Sequence, residues 1–315
     1  MRVLLIGSAA REHALAWKLM RSDYIKDLYV WPGHRLMPEG TLQVSCSKGE
    51  RYSNLVTFAL QSNIDLIICG PEQPLAEGVK DIMESAGISV FGPSAQAARL
   101  ESSKVFAKEV MKKAGIPTAN YKKAKEKSEA KILAEEILSR NIGVVLKADG
   151  LAGGKGVFVC RDKKSLGEAL DHLYQQEFMH SSELLVEEEI LGRECSYFSL
   201  INNSTHVPLG FAVDYKRLYA GDLGPNTGGM GAYSPVPWLE KNAYDIVQND
   251  IVSPLLKTLE KMKISYSGFL YCGLMWTKKG PSVLEFNVRL GDPETQVLAV
   301  SDHRDWLSLI INIIE

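Results

Sequence analysis

A glycine-rich segment between two apolar runs is the first part of the sequence that could do chemistry. Residues 147–159 read KADGLAGGKGVFV, with four glycines and two lysines. Glycines let backbone N–H groups approach an anion closely, and a nearby lysine adds a positive charge. The runs on both sides are short and rich in apolar and β-branched residues, which predicts two strands. The pattern predicts a hairpin that closes over phosphates, and a plain flexible turn is the alternative.

Two common nucleotide-binding loops do not fit the sequence. A Walker A loop has four residues between its first glycine and Gly-Lys-Ser/Thr, but only three separate Gly150 from Gly154, and Gly156 follows Lys155. The first strand runs into GSAAREHA at residues 7–14, which lacks the second and third glycines of a dinucleotide-binding turn. A nicotinamide dehydrogenase is therefore disfavoured.

Charged residues near this segment could bind the rest of a nucleotide. Lys147 lies in an apolar strand, so we expect an anionic group beside its ammonium, although a lone strand lysine is usually a surface charge. Residues 186–194, VEEEILGRE, end a strand in acids. Their backbone could pair with an adenine edge, and Glu194 could hold ribose hydroxyls. An exposed acidic strand end is the alternative interpretation.

The segment LEFNVRLGDPETQ, residues 284–296, has the pattern of a metal-binding strand. Alternation places Glu285, Asn287 and Arg289 on one face, with Leu284, Phe286 and Val288 on the other. Two oxygen ligands suit Mg²⁺ that is held jointly with substrate phosphates. An arginine fork suits a phosphate or a carboxylate. An ordinary half-exposed strand is the alternative, and the GDPE turn that follows argues against it.

Residues 214–235, DYKRLYAGDLGPNTGGMGAYSP, form a long glycine-rich stretch with almost no periodicity. Long irregular segments in compact domains are usually functional or disordered. The aromatic residues and prolines within the stretch favour an ordered, functional loop.

The elements around these segments predict two kinds of sheet. Strand and helix patterns alternate over the first hundred residues, which indicates βαβ units and a parallel sheet. The loops GSAAREH, GPEQPL and FGPS follow strands of that sheet and are candidate ligand loops by position. After Gly192 strand patterns dominate, with one long helix near residues 240–262, which predicts an antiparallel sheet that carries helices. The fold class is therefore mixed, α/β followed by α+β.

Composition excludes several classes of protein. Lys and Arg total 36 and Asp and Glu total 38, so the formal net charge of −2 gives no general attraction to nucleic acid or an anionic membrane. The five cysteines are widely spaced, which fits reduced thiols in the cytoplasm and neither a disulfide framework nor a zinc site. No apolar run approaches the length of a membrane span.

Together these segments resemble the glycinamide ribonucleotide synthetase family of the ATP-grasp superfamily. The motifs GSAAREHA, GPEQPL, ESSKVFAK, KADGLAGGKGV, GPNTGGMGAYSP, GFLYCGLM and EFNVRLGDPETQ stand in the family's order. The resemblance implies a Rossmann-like domain at residues 1–103 and a two-lobed ATP-grasp domain at residues 104–315. The small lobe that bears the glycine flap would span about residues 122–190.

The resemblance also implies the reaction. ATP, glycine and 5-phosphoribosylamine would give ADP, phosphate and glycinamide ribonucleotide through glycyl phosphate, as a step of purine biosynthesis. ATP would be held by Lys104, Lys147, Gly153, Gly154, Lys155, Gly156, Glu187, Glu188, Ile190 and Glu194. The substrates would be held by Gly7, Ser8, Arg11, Glu12, Pro71, Glu72, Asp214, Lys216, Asn226, Thr227, Gly228, Gly229 and Arg289. Glu285 and Asn287 would bind Mg²⁺ or Mn²⁺, and Arg289, Lys147 and Asp292 would be catalytic.

The sequence departs from the family pattern at several places. Ala9 and Ala10 replace two glycines, and Tyr215 replaces a histidine. Residues 271–273 hold no acid where many relatives have another metal ligand, so we expect a metal that depends on phosphates. Family members continue into a further C-terminal domain that we expect to be absent here. The alternatives are therefore an inactive ATP-binding form, a nucleotide-binding module without catalysis, or another ATP-grasp carboxylate–amine ligase or carboxylase.

Overall fold

A computed structural model describes residues 1–151, 156–175, 183–221 and 223–315 of the chain. Three sheets of four or five strands organise these residues: a parallel sheet at the N-terminus, a small antiparallel sheet in the middle of the chain and a larger antiparallel sheet after it. A separate two-stranded sheet lies in the same part of the chain as the last of them. The mixed fold class predicted from the sequence is confirmed.

The N-terminal sheet has five parallel strands in the order β3-β2-β1-β4-β5. Its strands are β1 (Arg2–Gly7), β2 (Asp27–Pro32), β3 (Leu42–Gln43), β4 (Leu66–Cys69) and β5 (Val90–Phe91). Val3, Leu4 and Leu5 are fully buried, because helices cover both faces of a parallel sheet. The carboxyl ends of β1 and β4 therefore lie side by side, and both loops reach the cleft described below.

Six helices accompany this sheet and lead out of it. They are α1 (Ala10–Leu19), α2 (Ser53–Gln61), α3 (Glu72–Ala76), α4 (Val79–Ser85), α5 (Ala95–Ser102) and α6 (Lys104–Ala114), with a 3₁₀ turn at Glu50–Tyr52. The hydroxyl of Ser103 accepts a hydrogen bond from the N–H of Phe106 and begins α6. Gly115 ends α6 at a φ of +69°, a conformation that glycine adopts without strain.

The middle sheet has four antiparallel strands in the order β6-β9-β7-β8. Its elements are β6 (Tyr121–Ala124), α7 (Lys127–Leu138), β7 (Val144–Ala148), β8 (Val157–Cys160), α8 (Lys163–Tyr174) and β9 (Leu184–Glu188). The two strands predicted beside the glycine-rich segment are confirmed as β7 and β8, which pair antiparallel. Apolar residues of α7 and α8 pack on the sheet and form a separate core.

The larger sheet is antiparallel, in the order β14-β11-β10-β15-β16. The strands of this region are β10 (Arg193–Asn202), β11 (Thr205–Asp214), β12 (Arg217–Tyr219), β13 (Leu223–Asn226), β14 (Ala232–Tyr233), β15 (Ser267–Thr277) and β16 (Gly280–Asn287). Strands β12 and β13 pair with each other, so the stretch 214–235 contains more regular structure than its lack of periodicity predicts.

Four helices complete the fold: α9 (Ala243–Val247), α10 (Ser253–Lys261), α11 (Glu294–Ser301) and α12 (Trp306–Ile314). The long helix predicted near residues 240–262 is confirmed, with α9 and α10 joined without a break by a π-helical turn at Gln248–Val252. Within the described ranges, no helix combines the length and the apolar character that a bilayer crossing requires.

Candidate active site

A polar cleft of about 260 Å³ lies where the three sheets meet. Its walls come from α5 and α6, from the middle sheet, from the loop after β11, and from β16 with the loop that follows it. The charged residues that line the cleft are Glu72, Glu101, Lys104, Lys108, Lys147, Glu187, Asp214, Lys216, Glu285, Arg289, Asp292 and Glu294.

Glu285 and Asn287 offer two oxygen donors from alternate positions of one strand, β16. The amide nitrogen of Asn287 lies 3.4 Å from a carboxylate oxygen of Glu285. Burial alone would raise the pKa of Glu285, but the positive charges of Lys216, Lys147 and Lys104 outweigh it and hold the pKa below its usual range. The carboxylate is therefore ionised, as a metal ligand must be.

These two donors fit a hard divalent cation that takes its other ligands from elsewhere. Among the residues that the structure describes, no group of three or more His, Cys, Asp or Glu side chains could hold a metal. Mg²⁺ is usually bound by one or two protein oxygens together with phosphates and water. A metal at these two donors that depends on phosphates for its other ligands stays a prediction.

A β-bulge corrects one part of the predicted strand pattern. Val283 pairs with Leu274 and Glu285 pairs with Gly273, so Leu284 is the extra residue between them. Leu284 consequently lines the cleft, whereas simple alternation placed it on the opposite face. Phe286, which alternation also placed on that face, lines the cleft as well. The bulge also leaves the carbonyl of Leu284 free of the sheet, and it accepts a hydrogen bond of 2.9 Å from the ammonium of Lys147.

Two lysines at one end of the cleft are suited to phosphate groups. The ammonium of Lys104 donates to the carbonyl of Gly150 at 2.8 Å, and burial lowers the pKa of Lys104 although Glu285 and Asp149 oppose that change. The Lys147 ammonium lies 3.1 Å from a carboxylate oxygen of Glu187. The anionic group that the sequence predicts beside Lys147 is therefore Glu187.

Arg289 is fixed by two carboxylates from the N-terminal region. Its guanidinium lies 2.8 Å from Glu101 and 3.1 Å from Glu72. Burial disfavours the charged guanidinium, but these two carboxylates prevail and raise the pKa of Arg289. Arg289 is therefore a permanently charged, oriented fork donor on the metal-binding side of the cleft.

The loop after β1 contacts the loop that follows β16 and so supports one wall of the cleft. The backbone N–H of Arg11 donates to Asp292 at 3.1 Å, and its guanidinium donates to the carbonyl of Leu290 at 3.2 Å. A carboxylate oxygen of Glu12 lies 2.5 Å from the Arg11 guanidinium. A Cβ atom on Gly7 would lie only 2.1 Å from the buried Glu12 side chain, so this packing requires glycine at position 7.

The far end of the cleft combines acids with a lysine. Burial raises the pKa of Asp214 to about 6, against the opposing charge of Lys216 and with the help of Glu294 and Glu194. The Lys216 ammonium forms an ion pair with Glu194 and lies 3.8 Å from Asp214. Because Asp214 titrates near neutral pH, this end of the cleft can change its charge.

Among the predicted site residues whose side chains are described, the structure brings more than half together. Those that line the cleft are Lys104, Lys147, Gly156, Glu187, Glu72, Asp214, Lys216, Thr227, Gly228, Glu285, Asn287, Arg289 and Asp292. Gly153, Gly154 and Lys155 lie outside the described residues, and so does the side chain of Asn226.

The remaining predicted residues do not line the cleft, and they are Gly7, Ser8, Arg11, Glu12, Pro71, Glu188, Ile190, Glu194 and Gly229. Glu188 contacts Arg140 at 2.7 Å and Asn120 at 2.9 Å. Tyr215, at the position where the family has histidine, is 60% exposed.

Four cleft residues with charged or hydroxyl side chains were not predicted: Glu101, Lys108, Tyr271 and Glu294. The Tyr271 hydroxyl donates to Glu294 at 3.1 Å and accepts from Ser196 at 3.0 Å. Glu101, Lys108 and Glu294 belong to the motifs ESSKVFAK and EFNVRLGDPETQ. The motifs were the available signal, but no local pattern indicated which way these side chains point.

Chemically, the cleft brings lysines together with two oxygen donors and with a fixed arginine that lies beside those donors, and it has a titratable carboxylate at one end. Such an arrangement can hold a polyphosphate with a divalent cation and neutralise charge as a phosphoryl group moves. None of the residues that line the cleft is a serine, cysteine or histidine that could serve as a nucleophile, within the portion of the chain described.

Comparisons with known proteins agree on one family. Two family models match: phosphoribosylglycinamide synthetase, N domain, over residues 1–101, and phosphoribosylglycinamide synthetase, ATP-grasp (A) domain, over residues 102–295. A phosphoribosylamine–glycine ligase of Caldanaerobacter subterraneus is 43% identical over 313 residues, 98% of this chain and 74% of that protein. One from Listeria monocytogenes is 42% identical, with 98% and 74% covered.

Solved structures include one of the same family and others that share only the fold. The crystal structure of phosphoribosylamine–glycine ligase from Thermotoga maritima is 33% identical, with a TM-score of 0.82 over 99% of this chain and 75% of that one. A biotin carboxylase from Campylobacter jejuni, described as a complex with β,γ-ATP, has a TM-score of 0.72 at 19% identity, with 99% and 70% covered. The second likeness concerns the fold alone.

Proposed function

The chain belongs to the phosphoribosylglycinamide synthetase family of ATP-grasp ligases, and we propose that its cleft joins glycine to 5-phosphoribosylamine with ATP as the energy source. The observation that carries the proposal is the position of Glu285, Asn287 and Arg289 opposite Lys104 and Lys147 in one cleft. The products are ADP, phosphate and glycinamide ribonucleotide, which places the reaction in purine biosynthesis.

The first step is phosphoryl transfer to glycine. A carboxylate oxygen of glycine attacks the γ-phosphorus of ATP, the bond to the β–γ bridging oxygen breaks, and ADP leaves. Lys104 and Lys147 bind the phosphates, and Arg289 stabilises the charge that builds up on the transferred group. Mg²⁺ held by Glu285 and Asn287 would neutralise phosphate charge, and Mn²⁺ satisfies the same oxygen donors.

The second step is amide formation. The amine of phosphoribosylamine attacks the acyl carbon of glycyl phosphate, phosphate leaves, and the nitrogen loses a proton. Asp214 and Lys216 hold substrate at the end of the cleft remote from the adenine, together with Thr227, Gly228 and Asp292. Positioning of this kind replaces a protein nucleophile.

Adenine binds beside β9, with Glu187 at its edge. On the sequence evidence, the glycine-rich segment, of which residues 152–155 lie outside the described part, would cover the phosphates and exclude water that hydrolyses an acyl phosphate.

We also propose the division into residues 1–103 and 104–315, with the small lobe at about residues 122–190. A cytoplasmic location is supported by the five cysteines, all of which are free.

An omission experiment tests the function. ADP and glycinamide ribonucleotide are measured with purified protein, ATP, Mg²⁺, glycine and freshly made phosphoribosylamine, with each component left out in turn. We expect both products only in the complete mixture. Lys147→Met should abolish them, while Lys279→Met in the exposed β15–β16 turn should not. ATP binding without glycine-dependent ADP release would show that this 315-residue chain is an ATP-binding form and not the active ligase.

A further inference from the structure

A closed ring of polar contacts joins the phosphate end of the cleft to the base end. On one side the Lys108 ammonium donates to the Thr118 hydroxyl at 2.7 Å, and that hydroxyl donates to the carbonyl of Val283 at 2.6 Å. On the other side Lys147 donates to the carbonyl of Leu284. The two carbonyls are consecutive on β16, immediately before the metal-binding residue Glu285.

Glu187 closes the ring, and only one of its two oxygens takes part. Both Lys108 and Lys147 lie 3.1 Å from the same carboxylate oxygen, Oε2. The second oxygen, Oε1, is buried and has no hydrogen-bond partner. Glu187 as a whole is 2% exposed and lines the cleft.

A buried carboxylate oxygen without a partner is costly. The cost is removed when a ligand in the cleft donates an N–H to Oε1. The exocyclic 6-amino group of a purine is such a donor, whereas the 6-oxo group of hypoxanthine or guanine is an acceptor and would oppose the carboxylate.

Without a ligand, the ring has more positive than negative charge. Two buried ammonium groups share one carboxylate, and burial lowers the pKa of Lys108 to about 8 despite the opposing charge of Glu187. A polyphosphate in the cleft would draw Lys147 towards its own charge. Glu187 would then depend on the other lysine as its counter-ion.

We propose that Lys108 is a positioning residue that holds the Glu187 carboxylate turned with Oε1 towards the nucleotide base, while Lys147 is free to bind phosphates. The proposal rests on the function proposed above, with ATP bound in this cleft. In this assignment Lys108 acts through Glu187 and not directly on base or phosphate, since its ammonium already contacts Glu187 and Thr118. The preference for a 6-amino over a 6-oxo purine nucleotide therefore depends on a side chain outside the base contact.

The test compares ATP with ITP, its 6-oxo counterpart, in steady-state kinetics of the full chain. Lys108→Met should raise KM for ATP by about 10-fold to 100-fold, the range found for partners that orient a ligand-binding group. We expect kcat to change by less than about 3-fold and the ratio of kcat/KM between ATP and ITP to fall about 10-fold. Lys108→Arg should restore most of that ratio because it keeps a cation beside Glu187.

Two further variants keep the test decisive. Lys112→Met removes an exposed lysine one turn along α6 and should change neither KM nor the ATP/ITP ratio. Thr118→Val removes one contact of Lys108 and should give an intermediate rise in KM for ATP. If Lys108→Met does not fold, this variant tests the role of Lys108 in its place.

The outcomes separate this inference from the proposed function. Wild-type protein that lacks ligase activity with ATP would refute the proposed function. Active wild-type protein whose ATP/ITP ratio is unchanged in Lys108→Met, or in Thr118→Val where Lys108→Met does not fold, would refute the role of Lys108 alone. A fall in kcat with the ratio preserved would likewise assign Lys108 a purely structural role.

Discussion

The guanidinium of Arg289 lies 2.8 Å from the carboxylate of Glu101, a residue 188 positions earlier in the chain. The other carboxylate oxygen of Glu101 accepts the backbone N–H of Val288 at 2.8 Å. One side chain at the end of α5 thus fixes both the backbone just after β16 and the arginine that follows it. Burial raises the pKa of Glu101, and the adjacent Arg289 opposes that rise.

Glu101→Gln should impair turnover more than nucleotide binding. The glutamine oxygen can still accept the N–H of Val288, so we expect the fold to be retained, but the charge that orients Arg289 is lost. We predict a fall in kcat of about 10-fold to 100-fold with KM for ATP changed by less than about 3-fold. The measurement is steady-state ADP release at saturating glycine.

Glu84→Gln is the matched control for that substitution. Glu84 pairs with Lys80 on an exposed helix face, four residues apart, and such pairs contribute little. An equal loss of kcat in both variants would contradict the role of Glu101 in orienting Arg289.

Asp214 should produce an acid limb in the dependence on glycine. Its pKa of about 6 results from burial, with Lys216 opposing and Glu294 and Glu194 adding to the rise. The carboxylate is charged above that pH and can attract the ammonium group of glycine; it is neutral below it. We predict that kcat/KM for glycine falls about 10-fold per pH unit below about pH 6.

The limb should disappear in Asp214→Asn, which should have a low and nearly constant kcat/KM for glycine between pH 5 and pH 7. Tyr271 also faces this end of the cleft, but burial raises its pKa far above that window. Asp245→Asn, on the exposed face of α9, should keep the wild-type profile. An unchanged acid limb in Asp214→Asn would assign it to another group.

The strand pattern around Glu285 could be predicted from the sequence because alternation is a local property of the backbone. Glu285, Asn287 and Arg289 all line the cleft, as expected of residues on one face. Leu284 does not obey this alternation, because it is the extra residue of a bulge, and a bulge depends on the register with β15. Register is set by two strands together, so the sequence of one strand alone does not reveal it.

Contacts between residues far apart in the chain could not be predicted either, because they also depend on two segments that meet only in the folded protein. The contacts of Arg289 with Glu101 and of Arg11 with Asp292 join residues more than 180 positions apart. Glu194 was expected to hold ribose, but in the structure it pairs with Lys216; its role towards a nucleotide stays a prediction. Motifs identify which residues matter, whereas only the packed fold determines which of them meet.

Glu285→Gln should weaken the metal site. The neutral amide is a poorer ligand, and it leaves the nearby charges of Lys216, Lys147 and Lys104 without their shared carboxylate. We predict that the Mg²⁺ concentration for half-maximal activity rises at least about 100-fold. The measurement is ADP release during a Mg²⁺ titration at fixed ATP. Glu260→Gln, on an exposed position of α10, should match wild type, and an unchanged titration of Glu285→Gln would refute the assignment of the metal ligand.

Gly268 should be required for the junction between the parallel sheet and the larger antiparallel sheet. A Cβ atom on Gly268 would lie 2.9 Å from the Cα of Gly92, in the loop after β5, while Gly280 has nothing within 4 Å of that position. Both glycines have positive φ, +134° and +105°, so alanine strains the backbone at both sites and only Gly268→Ala adds a clash. We predict that Gly268→Ala lowers the free energy of unfolding by about 1–3 kcal/mol more than Gly280→Ala. Urea denaturation of the two variants measures the difference, and equal losses would show that the two sheets separate at little cost.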